Sequence, residues 1–274
     1  METVPIGIFD SGVGGLSVLR AIRSQFPANP IIYVADQSHV PYGSRSLVEV
    51  RAYSNEITRF LLAQGARLIV VACNTASAAA LHELRRDYPG VPFVGMEPAV
   101  KPAAEGTHSR VVGVLATPAT FQSELYNSVV ERFARDVKIL QESCPGLVQQ
   151  IETGDLGGAK TRQILEYALL PMLETGADTI VMGCTHYPFV IPLIREIVGQ
   201  QVQVIDPAPA VARQAGRLLT ERGWMAEEPQ AGSIRFFTSG NPQHFSRLLP
   251  VLLGESGDVA QIYWDQERLK LVPA

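Results

Sequence analysis

Short apolar, β-branched runs alternate with longer helical patterns through most of this chain, and that rhythm leaves few folds open. Residues 5–9, 31–35, 68–72, 92–95, 111–115, 137–140, 179–183, 202–205 and 234–238 read as buried strands. Their hydrophobicity is continuous rather than alternating, as a sheet covered on both faces requires. Between them, residues 48–64, 76–88, 121–135, 161–175, 190–198 and 209–221 read as helices. The alternation predicts an α/β fold built on doubly wound parallel sheets. Ligands of such sheets bind beyond the carboxyl ends of the strands, so the residues that follow each strand carry the functional expectation.

The chain also repeats itself. Gly65-Ala66-Arg67-Leu68-Ile69-Val70-Val71-Ala72-Cys73 lies over Gly176-Ala177-Asp178-Thr179-Ile180-Val181-Met182-Gly183-Cys184 without a gap, at an offset of 111 residues. A weaker echo joins Gly7-Ile8-Phe9-Asp10-Ser11 to Gly113-Val114-Leu115-Ala116-Thr117, at an offset of 106 residues. Two similar α/β halves follow, each presenting a cysteine at the end of an apolar strand.

Composition narrows the function. Twenty-three Lys and Arg against 27 Asp and Glu give a net charge of −4, with no basic run. That argues against nucleic acid or an anionic membrane surface as partner. No apolar stretch approaches the roughly 18 residues of a membrane span. The segment 1–9 lacks a basic n-region, so no signal peptide is expected, nor any long extension before the first strand on which a regulator would dock. Three cysteines are too few and too odd in number for a disulfide framework, and a reducing cytoplasm is the expected compartment.

Cys73 opens Cys73-Asn74-Thr75-Ala76-Ser77 at a turn from strand to helix, and Cys184 opens Cys184-Thr185-His186-Tyr187-Pro188 in the matching place. A thiol beside helix-initiating N–H groups has its thiolate stabilised. Asn74, Thr75 and Thr185 offer short polar groups that can grip a carboxylate. Cys144, before Pro145-Gly146, has no such frame and reads as a bystander. Asp10-Ser11-Gly12-Val13-Gly14-Gly15 follows the first strand; its glycines let backbone amides approach an anion, although an aspartate there suits an ammonium group or a proton donor better than a phosphate. A glycine-rich turn with Asp10 as helix cap is the alternative. Pro41-Tyr42-Gly43 falls in a loop after the second strand, near the ligand edge. Glu152, taken alone, reads as a solvated loop carboxylate. His39 and His82 carry no motif, and Trp224 and Trp264 look structural.

Cofactor signatures are weak. Cys184 and His186 lack the further ligands and Cys-x-x-Cys spacing of a zinc site, so no metal is expected. The four lysines, Lys101, Lys138, Lys160 and Lys270, stand outside the polar strand-end frames, which disfavours pyridoxal phosphate. Neither a P-loop nor a complete G-x-G-x-x-G is present. Two tunable thiols, one in each half, suit racemisation: one removes an α-proton while the other protonates the opposite face.

The motifs Gly7-Ile8-Phe9-Asp10-Ser11-Gly12-Val13-Gly14-Gly15, Pro41-Tyr42-Gly43, Ala72-Cys73-Asn74-Thr75-Ala76 and Gly183-Cys184-Thr185-His186-Tyr187-Pro188, in that order, resemble the glutamate racemases of the aspartate/glutamate racemase superfamily. The resemblance implies two α/β domains, residues 1–98 with 206–274 and residues 99–205, with the active site in the cleft between them. It implies cofactor-independent interconversion of L- and D-glutamate for bacterial cell-wall synthesis by a homodimer. Cys73 would act on D-glutamate and Cys184 on L-glutamate, with Asp10 assisting the first thiol and His186 and Glu152 the second. Asp10, Ser11, Pro41, Tyr42, Gly43, Asn74, Thr75, Thr117, Thr185 and His186 would line the substrate site. Aspartate racemase shares the two-cysteine plan, but those enzymes tend to carry an acidic residue where His186 stands. A two-domain protein that binds a small anion, or a dithiol redox protein, is the reading from another class.

Overall fold

The computed structural model describes residues 4–226 and 230–272. In chain order its elements begin with β1 (Ile6–Asp10), α1 (Leu16–Gln25), β2 (Ile31–Ala35), α2 (Leu47–Ala63), β3 (Leu68–Val71), α3 (Asn74–Asp87) and β4 (Phe93–Gly95). Next come α4 (Val100–Gly106), β5 (Val111–Ala116), α5 (Pro118–Phe121), α6 (Glu124–Phe133), β6 (Lys138–Glu142), α7 (Leu147–Glu152), α8 (Ala159–Glu174), β7 (Thr179–Gly183), α9 (Ile191–Val198) and β8 (Gln203–Ile205). The chain continues with α10 (Ala208–Glu221), β9 (Ile234–Thr238), α11 (Pro242–Leu252), β10 (Val259–Asp265) and β11 (Arg268–Leu271). Single 3-10 turns occupy Tyr42–Ser44 and Tyr187–Val190. No described helix is long and apolar enough to cross a membrane.

Internal contacts divide the chain into Met1–Met96 with Ala208–Ala274, and Glu97–Pro207. The first unit holds a seven-stranded sheet in the order β11-β10-β9-β2-β1-β3-β4, and the second a four-stranded sheet in the order β6-β5-β7-β8. Both are parallel α/β sheets, with β11 as the exception: it returns antiparallel to β10. The runs β1, β2, β3 and β7 are buried along their whole length, which is why they are apolar without alternation. The expected burial of 137–140 and 202–205 is corrected: β6 and β8 lie at the edges of a small sheet and are half exposed. The expected helix over 121–135 is also corrected. It breaks into α5 and α6 because the Ser123 hydroxyl accepts from the Tyr126 N–H and starts a new helix.

The sequence repeat has a structural counterpart. β2-β1-β3-β4 and β6-β5-β7-β8 run in the same order, and Gly7 pairs with Ile69 as Gly113 pairs with Ile180. A Cβ on Gly113 would lie 2.5 Å from Met172 Sδ, and one on Gly7 would lie 2.9 Å from Ala66 Cβ, so both strands carry glycine where neighbouring side chains close in on them. Gly65 and Gly176 end α2 and α8 with φ of 95° and 91°. In each case the next residue's N–H reaches back to a helix carbonyl, Ala66 to Leu61 and Ala177 to Met172. This is the Schellman end that only glycine adopts without strain. At its other end α2 begins with a capping box, Ser46 and Glu49 satisfying each other's backbone N–H.

Candidate active site

Within the first unit, β1 and β3 are neighbours, and the Ala72 N–H donates to the Phe9 carbonyl at 2.8 Å. Asp10 and Cys73 therefore leave adjacent strand ends. The Asp10 carboxylate is fully buried and accepts from the Gly15 N–H at 2.6 Å, with the Ser11 hydroxyl 3.4 Å away. Gly15 itself is the N-cap of α1, so Asp10 braces the turn rather than capping the helix through its own position. Cys73 is the N-cap of α3, in extended backbone, and its Sγ accepts from the Ala76 N–H at 3.5 Å. A thiolate there faces the positive end of a helix of 14 residues.

Asn74 and Thr75 form the first turn of α3 and are buried. Both polar atoms of the Asn74 amide are buried with no hydrogen-bond partner in the protein. Such an amide costs about 1–3 kcal/mol unless a polar ligand meets it. Tyr42 is buried in its 3-10 turn, flanked by the half-exposed Pro41 and Gly43, and donates its hydroxyl to Asp36 Oδ2 at 2.7 Å. Burial first, then the charge of Asp36 and smaller contributions from Cys73 and Asp10, holds the Tyr42 phenol well above its usual range and keeps it a donor.

Sequence reasoning missed Asp36. Its carboxylate also accepts from Trp264 Nε1 at 2.8 Å and Ser239 Oγ at 2.7 Å, and it pairs with His39 Nδ1 at 2.9 Å. Burial alone would raise its pKa; His39, Ser239 and Tyr42 outweigh that and bring it below the carboxylate range. The missed signal was its place, directly after β2, where ligand-edge residues are expected.

Within the second unit the matching strand ends are those of β5 and β7, with Ala116 paired to Gly183, so Thr117 and Cys184 emerge side by side. Thr117 caps α5, its hydroxyl accepting from the Thr120 N–H at 3.3 Å. The expectation of a helix start at Cys184 is corrected. A 3-10 turn follows, and α9 begins only at Ile191. Pro188 and Pro192 explain this, because each lacks an N–H and fits only the first turn of a helical segment. Instead, Cys184 Sγ lies 3.8 Å from His186 Nδ1. His186 Nε2 in turn lies 2.6 Å from Glu152 Oε1.

Glu152 is therefore not a solvated loop residue. It ends α7, with its side chain 12% exposed. Burial would push the His186 imidazole down, but its hydrogen bonds to Cys184 and Glu152 outweigh that and hold it well above the ordinary histidine range. Thr185 is buried beside it. Cys144 is buried too, and burial, with Glu142 and Cys184 nearby, pushes its thiol far up. Among the described residues, no three His, Cys, Asp or Glu side chains gather as a metal would need.

Each unit thus presents one strand-end thiol in a buried polar frame. The family model for Asp/Glu/hydantoin racemases matches residues 6–215. The chain belongs to that family. It is 52% identical over 95% of its length to a glutamate racemase from Pseudomonas paraeruginosa, covering 98% of that protein. A glutamate racemase from Roseiflexus is 50% identical over 89% of this chain and 90% of its own. Among solved structures, a Bacillus anthracis glutamate racemase superposes with a TM-score of 0.84 at 32% identity, covering 97% of this chain and 99% of that one. An Escherichia coli glutamate racemase in complex with L-glutamate and the activator UDP-MurNAc-Ala superposes with a TM-score of 0.83 at 30% identity, covering 99% and 100%. The chain is thus an isomerase of the amino-acid racemase class.

Proposed function

We propose that this racemase interconverts L- and D-glutamate with Cys73 and Cys184 as the two acid/base groups, without a cofactor, and so supplies D-glutamate for cell-wall synthesis. The observation that carries the reading is the recurrence of a thiol at the same strand-end place of two sheets with the same strand order. Cys73 removes the α-proton of D-glutamate and delivers a proton when L-glutamate reacts; Cys184 does the converse. Asp10 assists the first thiol. The Glu152–His186 pair assists the second, an imidazolium being suited to stabilise a thiolate or to hand it a proton. Asn74, Thr75, Thr185, Ser11 and Tyr42 hold the substrate, with the unpartnered Asn74 amide the strongest candidate contact. The lysines that a Schiff base would need are all exposed. The enzyme works as a homodimer whose every chain carries both thiols.

The first turnover in heavy water tests the mechanism. Two bases require the product enantiomer to carry deuterium at Cα while the recovered substrate stays unlabelled. A product rich in its original hydrogen means a single base, and the absence of any stereoinversion of glutamate removes the substrate assignment as well.

A further inference from the structure

Tyr33 is fully buried at the centre of β2, paired with Ile8 of β1. Its ring stacks on Phe245 at 6.1 Å and meets Phe236 edge-on at 6.4 Å. A phenylalanine would keep both contacts. The hydroxyl does something else: it donates to the Gly12 carbonyl at 2.8 Å. Gly12 belongs to the turn that leaves Asp10 and returns the Gly15 N–H to Asp10 Oδ2 at 2.6 Å. A Cβ on Gly15 would fall 2.8 Å from the Tyr33 hydroxyl and 2.7 Å from Asp10 Cβ, so hydroxyl, turn and carboxylate pack without slack. Three of the four residues 12–15 are glycine, and a glycine backbone has little preference of its own. The turn therefore depends on anchors, and Tyr33 is one from outside the segment.

We propose that Tyr33 is a positioning residue for the reaction: its hydroxyl fixes the glycine-rich turn through Gly12, and the turn aims the Asp10 carboxylate at its task beside Cys73. This rests on the reading of Asp10 as the partner of Cys73. The ring of Tyr33 serves the core, and its oxygen serves the site.

Tyr33→Phe separates these two roles. The enantiomers have equal free energy in water, so kcat/KM must fall by the same factor in both directions whatever the lesion. The expected fall is on the order of tenfold, one hydrogen bond's worth of misplacement. What diagnoses the route is which proton transfer slows. With Cα-deuterated substrates, the isotope effect on kcat/KM should rise for D-glutamate, which Cys73 deprotonates, and fall for L-glutamate. Asp10→Asn, measured in parallel, should move both isotope effects in the same sense. Phe245→Leu, which disturbs the ring but spares the hydroxyl, should lower the Tm and leave the isotope asymmetry where it is. If Asp10→Asn moves the asymmetry and Tyr33→Phe does not, the role of Tyr33 is overturned alone. If neither moves it, the reading of Asp10 falls first. A shift in Tyr33→Phe without one in Asp10→Asn refutes the route through the carboxylate. A Tyr33→Phe chain that fails to fold also overturns the proposal, because the hydroxyl then belongs to the fold.

Discussion

Replacing Glu152 by glutamine keeps the shape of its contact with His186 and removes the charge. The contact is 2.6 Å long, between side chains 3% and 12% exposed. A hydrogen bond to a charged group contributes about 1.5–3 kcal/mol, roughly twice a neutral one, so losing the charge alone costs about 0.8–1.5 kcal/mol. If that interaction supports the proton transfer at Cys184, kcat falls about 4- to 12-fold. The pH profile carries more information than the rate. Burial pulls the His186 pKa down, and the Cys184 and Glu152 contacts outweigh that and raise it well above that of an ordinary imidazole. The imidazolium is lost as pH rises through that raised value, which sets the basic limb. Without the carboxylate, burial wins a larger share and the limb moves toward acid. Stability follows the same sign: the Glu152 contribution is fully present below about pH 6.5, while the carboxylate stays ionised, and disappears as pH rises through the raised pKa. Chiral chromatography of initial rates across pH, with thermal melts at the same pH values, reads both. A glutamine variant within twofold of the parent, with an unmoved basic limb, would refute the role given to this pair.

Other consequences are more direct. Alkylation followed by peptide mapping should modify Cys73 or Cys184 well before Cys144, whose buried thiol is pushed far up, and glutamate should protect the first two; rapid, unprotected labelling of Cys144 contradicts the assignment. Dialysis against a chelator and hydroxylamine should leave racemisation intact, and activity restored only by an added cofactor would replace the two-thiol chemistry. Gly113→Ala places a Cβ against Met172 Sδ and Ile180 Cδ1, so calorimetry should show a loss of about 1–3 kcal/mol, and an unchanged Tm would show that α8 shifts freely.

The strands that are buried on both faces were legible because a sheet covered by helices leaves no polar alternation, as in β1, β2 and β3. Exposure blurred the same signal near the sheet edge: β10, between β9 and the edge strand β11, buries only Ile262 fully and so lacks the continuous apolar run that marks a covered strand. The start of α11 was written plainly in Asn241-Pro242, a cap followed by proline at the first position, and was overlooked. The repeated glycines and cysteines marked both thiols because local backbone geometry fixes them. Glu152 was named only through the family resemblance and not from its local sequence, because its contact with His186 spans 34 residues and exists only once α7 is placed. Asp36 was obscure for a similar reason, since its partners Ser239 and Trp264 come from the far end of the chain.

The discontinuity of the first unit has a consequence for how the chain is made. β2 pairs on one side with β1, but on the other with β9, Ile31 lying beside Ile234. From Met96 to Ile234 are 138 residues, so synthesis at about 5–20 residues per second leaves roughly 7–30 s before that partner emerges. During this interval the second unit acquires all its strands, while Ile31-Ile32-Tyr33-Val34-Ala35 presents an apolar edge with no neighbour on the β9 side. Such an edge is a template for pairing with another chain. The nascent protein therefore spends its most vulnerable seconds with this sheet open, and a pause in translation anywhere between β4 and β9 lengthens the exposure.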